Sequence, residues 1–199
     1  MDRDFNSWHK SLENILNESR TEQACYDFKI GLYHLHSSNS FNQDCLNNCI
    51  KTLTAMTNLK VGKCYIIIGV ADKQTDADKH EKLYGTPSVT YNGFNIVGIN
   101  GESDKNHKRL DDYNKKILNL IDNQPISQEF KNEIKKNFFT FNYQEKEILI
   151  LSASRLDKPQ SYNNEFYIRE FANTKKVDSS EIFDFMTNFD KESKNEYKP

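Results

Sequence analysis

The stretch LTAMTNLKVGKCYIIIGVAD, residues 53–72, decides how the rest of the chain is read. Its opening residues close a helix that begins near residue 41, with Leu46, Cys49, Ile50, Leu53 and Met56 on one stripe at helical spacing. Asn58 ends that helix and Gly62 turns the chain. Residues 63–71 are then apolar on both faces, the pattern of a central strand covered on both sides. The strand finishes on Gly69-Val70, with an acid, Asp72, two residues on. Acids at strand ends are well placed for an exposed site.

Upstream, residues 22–31 read EQACYDFKIG. Ala24, Tyr26 and Phe28 alternate as one face of a half-buried strand over 24–30, which puts Asp27 and Lys29 together on the other. Glu22 stands five residues before Asp27, at the strand entrance. A carboxylate two residues from a lysine can hold a divalent cation while the ammonium offsets charge on a phosphate in transit. The Asp-x-Lys pattern alone is common in charged proteins, where it marks a solvated strand face.

Further out, Phe5, Trp8, Leu12, Ile15 and Leu16 predict a helix over 5–18. A short helix over 75–83, capped by Thr75 or Asp76, follows the central strand. Residues 88–99 predict a hairpin arm or a strand around Asn92-Gly93. The middle is helical, over 105–122 and, after Pro125, over 127–136. FFTFNY (138–143) and EILILSAS (147–154) form an antiparallel hairpin, and EFYIREFA (165–172) is another strand. A helix over 178–189, with Asp178 and Ser179 as cap candidates, closes one domain spanning 1–189, and 190–199 is a charged tail. The fold class is α+β, a mixed, largely antiparallel sheet of about five to six strands with flanking helices.

The chain has 199 residues, a formal net charge of −2, 36% hydrophobic and 12% aromatic residues, and a mean hydropathy of −0.82. Its dense apolar runs exclude a disordered chain. No run reaches the ~18 apolar residues of a membrane span and no signal-peptide pattern opens the chain, so a soluble, cytoplasmic protein is expected. The charge excludes a uniformly basic coat for unselective nucleic-acid binding, while basic clusters at 104–116 and 173–176 leave room for a local basic surface. Cys25, Cys45, Cys49 and Cys64 suit a reducing compartment. His34, His36, Cys45 and Cys49 could supply zinc ligands, but Cys49 sits on the apolar stripe of its helix, which favours core cysteines. Neither a P-loop nor a G-x-S-x-G elbow is present, so no nucleotide cofactor is expected.

ESRTEQACYDFK, a helix, AMTNLKVGKCYIIIGVAD, then FNIVGI and EFYIREFANTKKVDSSEIF, in this order and spacing, together resemble the Schlafen AlbA-type domain family. The resemblance covers about residues 10–189. It matches the family's helix-to-strand stretch at Ala55, Asn58, Gly62 and Gly69-Val70, and its closing strand at Tyr167, Ile168 and Arg169. It implies a metal-dependent endoribonuclease that cleaves structured RNA such as tRNA. Glu22, Asp27 and Asp72 would hold Mg²⁺ or Mn²⁺, and Lys29 would stand beside them. A non-catalytic nucleic-acid-binding or regulatory domain of the same fold is the alternative. The chain departs from the family pattern in three places. Asp27 stands where glutamate is commoner, Val61 replaces one of a pair of glycines, and Ala71 occupies the position after Gly-Val. That last shift leaves Asp76 or Asp78 as substitutes for Asp72. Lys60, Lys63, Arg169, Lys175 and Lys176 are the candidate RNA-binding residues. Family cores pair two related lobes around a cleft, and this chain carries one copy, so a homodimer is expected; a monomeric mass in solution would contradict it.

Overall fold

The computed structural model describes residues 5–18, 25–59 and 62–195. The chain opens with α1 (Phe5–Glu18), β1 (Tyr26–Lys29), α2 (Gln43–Leu59), β2 (Lys63–Ile68), β3 (Val70–Ala71) and α3 (Gln74–Tyr84). The hairpin of β4 (Val89–Tyr91) and β5 (Phe94–Ile96) follows. Its turn is Asn92-Gly93, both at positive φ (48° and 83°), as a two-residue turn that matches strand twist requires. Helices α4 (Asn100–Asn106), α5 (Leu110–Asp122) and α6 (Gln128–Lys136) come next. The Ser127 hydroxyl accepts the Phe130 N–H and so caps α6. The second half of the sheet follows as β6 (Phe139–Tyr143) and β7 (Lys146–Ser154), then β8 (Ser161–Tyr162), β9 (Glu165–Glu170), β10 (Asn173–Lys176) and α7 (Ile182–Asn195).

The main sheet has the order β1-β2-β7-β6. β1 runs parallel to β2, with Tyr26 opposite Tyr65 and Lys29 opposite Ile68, while β2–β7 and β7–β6 are antiparallel. Ile66, Ile68, Leu149 and Leu151 pack on one face against Leu46, Ile50 and Leu53 of α2 and against α5 and α6. Ile67, Ile148 and Ile150 pack on the other against Leu12 and Leu16 of α1. Burial on both faces is what the unbroken apolar run of β2 required, at roughly 1.5–3 kcal/mol for each large side chain.

The α+β class holds, but the strands are divided among three sheets rather than gathered in one. Beside the main sheet stand β10-β9-β8 and β3-β5-β4, of three strands each. Gly69 causes part of this division. At φ +110° it turns the chain out of β2, so that Val70 pairs with Ile96 of β5 instead of continuing along β7. A Cβ at residue 69 would stand 3.0 Å from Gly98 Cα and 3.1 Å from Ile148 Cδ1. Gly69→Ala therefore meets both a forbidden φ and backbone contact, and it is expected to cost about 1–3 kcal/mol in urea unfolding.

Other boundaries also differ from the sequence expectation. The helix expected over 105–122 is two helices, because His107 and Arg109 are extended (φ −136° and −151°) and separate α4 from α5. α3 starts after Lys73, with no side-chain cap from Thr75 or Asp76. α7 begins at Ile182, after Asp178 and Ser179, and runs on to Asn195.

Candidate nucleic-acid interface and carboxylate site

The parallel register places Asp27 beside Ile66 and Lys29 beside Ile68, so both charged residues share the α2 side of the sheet edge. On the other side Tyr26 stacks on Tyr65 at 5.9 Å and Phe28 packs on Phe94 at 5.1 Å. The charged face is thus not a solvated edge. The Asp27 and Lys29 side chains are only 18% and 29% exposed.

Lys29 Nζ donates to Asp27 Oδ2 at 2.5 Å. Burial pushes the Lys29 ammonium down, but the Asp27 charge and hydrogen bond, with the Cys45 and Cys49 thiols, outweigh it and hold its pKa above the ordinary value. Arg169 Nη2 donates to Asp27 Oδ1 at 3.1 Å across 142 residues of sequence. Arg169 comes from β9 and is 4% exposed. Its Nη1 donates to the Thr174 hydroxyl at 3.1 Å, directly opposite on β10, and that hydroxyl meets Thr52 of α2 at 3.0 Å. One polar chain therefore joins α2, β10, β9 and β1, ending on Asp27.

The turn at Gly69 carries the chain on to Asp72 at the neighbouring cavity. Asp27 and Asp72, with Tyr26, Phe28 and Phe94, line a cavity of about 90 Å³. Neither alternative acid lines it: Asp76 pairs with Lys79 at 2.8 Å, and Asp78 accepts from Gln74 at 2.8 Å. Glu22 and Lys60 lie outside the described residues. Lys63 starts β2, at the end of the strand away from Asp72, and donates to Asn137 Oδ1 at 2.7 Å. Lys175 pairs with Glu170 at 3.3 Å and Lys176 with Glu165, so the β10 lysines sit beside acids of β9.

Asp27 and Asp72 both contribute to the wall of this cavity, and carboxylate oxygens are the hard donors that Mg²⁺ and Mn²⁺ take. Each Asp27 oxygen carries a second lone pair beyond the one its cation uses, so the ion pairs leave acceptor capacity for a metal. The described residues supply two acids of such a site, and no group of three metal-ligating side chains gathers among them. The zinc constellation is not assembled among the described residues either. His34 stacks on His36 at 4.8 Å, Cys49 is fully buried, and Cys45 Sγ points to the Gly31 carbonyl at 3.7 Å.

One residue that shapes the site carried no sequence signal. Glu102 of α4 is 1% exposed, and its carboxylate accepts the backbone N–H groups of Leu32 and Tyr33 at 3.0 to 3.1 Å and the hydroxyl of Tyr113. It thereby anchors the chain just after Lys29. Burial raises its pKa to about 7 against the lowering effect of those three donors.

With this geometry in place, the comparisons with known proteins bear on identity. The family model described as Schlafen, AlbA_2 matches residues 22–178. The chain belongs to that family, a class of nucleic-acid-binding or nuclease-like domains. No curated protein matches it. Among solved structures, the DIP2311 protein from Corynebacterium diphtheriae is similar over 88% of this chain, at 13% identity and a TM-score of 0.49. The match covers 27% of that protein's length. Among the described residues no helix is long and apolar enough to cross a membrane.

Proposed function

We propose that the chain is a Mg²⁺- or Mn²⁺-dependent endoribonuclease acting on structured RNA such as tRNA. The observation that carries this reading is the meeting of Asp27 and Asp72 in one cavity, 45 residues apart in sequence, with Lys29 bonded to Asp27. Asp27 and Asp72, with Glu22, would hold the metal; once bound, it would polarise the scissile phosphate and lower the pKa of an attacking water. Lys29 would stabilise charge developing on the phosphate oxygens, because its ammonium is already fixed beside the carboxylate. Lys60, Lys63, Lys175 and Lys176 would hold the RNA backbone by charge, without reading its sequence. A second copy of the chain would complete the cleft around the substrate.

A second reading is favoured by one observation: both Asp27 oxygens are engaged by cations, Lys29 and Arg169. On that reading Asp27 is the counter-ion of a phosphate-binding pair, and the domain binds RNA without cutting it. Incubating the purified chain with tRNA and Mn²⁺, beside Glu22→Ala and Asp27→Ala, separates the two. The nuclease reading expects cleavage that stops with EDTA and with either substitution. Cleavage surviving both substitutions would remove this site from the reaction, and RNA binding without cleavage would establish the second reading.

A further inference from the structure

The Arg169 guanidinium is incompletely used. Its Nη1 is on Thr174 and its Nη2 on Asp27 Oδ1, but its buried Nε has no hydrogen-bond partner among the described residues. A guanidinium binds an oxyanion best along the edge formed by Nε and Nη2, through two parallel hydrogen bonds. Here Asp27 takes only the Nη2 half of that edge, in a one-bond contact at 3.1 Å. The charges are also unequal: among the described residues, two cations, Lys29 and Arg169, face one carboxylate at contact distance. A buried donor without a partner, beside an uncompensated positive charge, is a costly arrangement that a second anion would relieve.

We propose that Arg169 is a latch between phosphate binding and Asp27. In the free chain it holds Asp27 Oδ1. A phosphate group of bound nucleic acid takes the Nε–Nη2 edge, withdraws Nη2 from Asp27, and leaves that oxygen free. The latch is built on the β9–β10 hairpin. Arg169 and Thr174 face α2 and Asp27, whereas Ile168, Glu170 and Lys175, on the alternate positions, line a separate groove against α7. Arg169 Nε is shielded at rest, so the exchange requires the hairpin to shift. Arg169 therefore contacts the phosphate itself and reaches the carboxylate site only through Asp27. The inference rests on the RNA-binding part of the proposed function and not on cleavage.

The test is a binding cycle in EDTA, where no metal contributes. Affinity for a tRNA and for inorganic phosphate is measured for the unmodified chain, Asp27→Asn, Arg169→Gln and the double variant. Asp27→Asn is expected to tighten RNA binding about tenfold, the worth of one charge-assisted hydrogen bond no longer competed for. Arg169→Gln is expected to weaken it by a similar factor, and the double variant to match Arg169→Gln. Lys29→Gln is added to Asp27→Asn, and the tightening must persist there, which keeps the test valid if Arg169→Gln fails to fold. Tightening for inorganic phosphate as well as tRNA identifies a general phosphate seat, and tightening for tRNA alone assigns it to the nucleic-acid backbone. Asp27→Asn binding no tighter than the unmodified chain would overturn the latch, and so would an increase that survives Arg169→Gln. If the cycle holds while tRNA stays intact with Mn²⁺, the latch stands and the nuclease reading falls.

Discussion

Replacing Glu102 by alanine is expected to destabilise the chain by about 3–5 kcal/mol at pH 5, from three donors orphaned at about 1–3 kcal/mol each with partial relief by water. At pH 5 Glu102 is protonated, and the Leu32 and Tyr33 N–H groups and the Tyr113 hydroxyl all lose their hydrogen-bond partner at once. No neighbouring side chain replaces the carboxylate easily, because it fills the space over Gly31. A Cβ there would overlap Glu102 Oε2. The effect is also pH-dependent, with a definite sign. The Glu102 pKa is about 7 in the folded chain against an ordinary value of 4.5. Its contribution to stability is therefore fully present below about pH 4.5 and is lost as the pH rises through about 7. A shift of this size corresponds to roughly 3 kcal/mol over that window. Urea unfolding at pH 5 and pH 8 measures both effects. Glu102→Gln keeps the shape and should flatten the dependence, and parallel curves for the variant and the unmodified chain would refute the assignment.

The sequence revealed those parts of the molecule whose cause is local. The strand of residues 63–68 is apolar on both faces, and it is the covered centre of the main sheet. The alternation of Tyr26, Asp27, Phe28 and Lys29 correctly separated two faces of β1. It could not say that α2 and the β9–β10 hairpin would cover the charged one, because that depends on packing. In sequence, NTKK shows only a basic cluster with no apolar alternation; the β10 strand exists because its backbone pairs with β9. α4 lacks an apolar stripe, so nothing in the polar run GESDKN marks Glu102 as buried. Arg169 was read as a candidate phosphate contact, and its bond to Asp27 spans too much sequence for periodicity to register. Asp72 was the least secure of the three acids because Ala71 shifts the register. The turn at Gly69 brings Asp72 to the cavity all the same, and strand parity does not carry through that turn.

The second large effect concerns the carboxylates themselves. If Asp27 and Asp72 hold one metal ion, losing either charge should weaken binding about 10- to 1,000-fold, the range that one opposite charge at contact distance produces. Asp76→Asn should change nothing, because Asp76 pairs with Lys79 and does not line the cavity. Lys29→Gln should modestly strengthen binding, since it removes a positive charge from Asp27 Oδ2. The direct measurement is a Mn²⁺ titration followed by the electron paramagnetic resonance of the free ion, on the unmodified chain, Asp27→Asn, Asp72→Asn and Asp76→Asn. One Mn²⁺ bound per chain, lost in the first two variants and kept in the third, is the predicted result. Mn²⁺ binding that is unchanged in Asp27→Asn, or absent from the unmodified chain with and without RNA, would contradict the account.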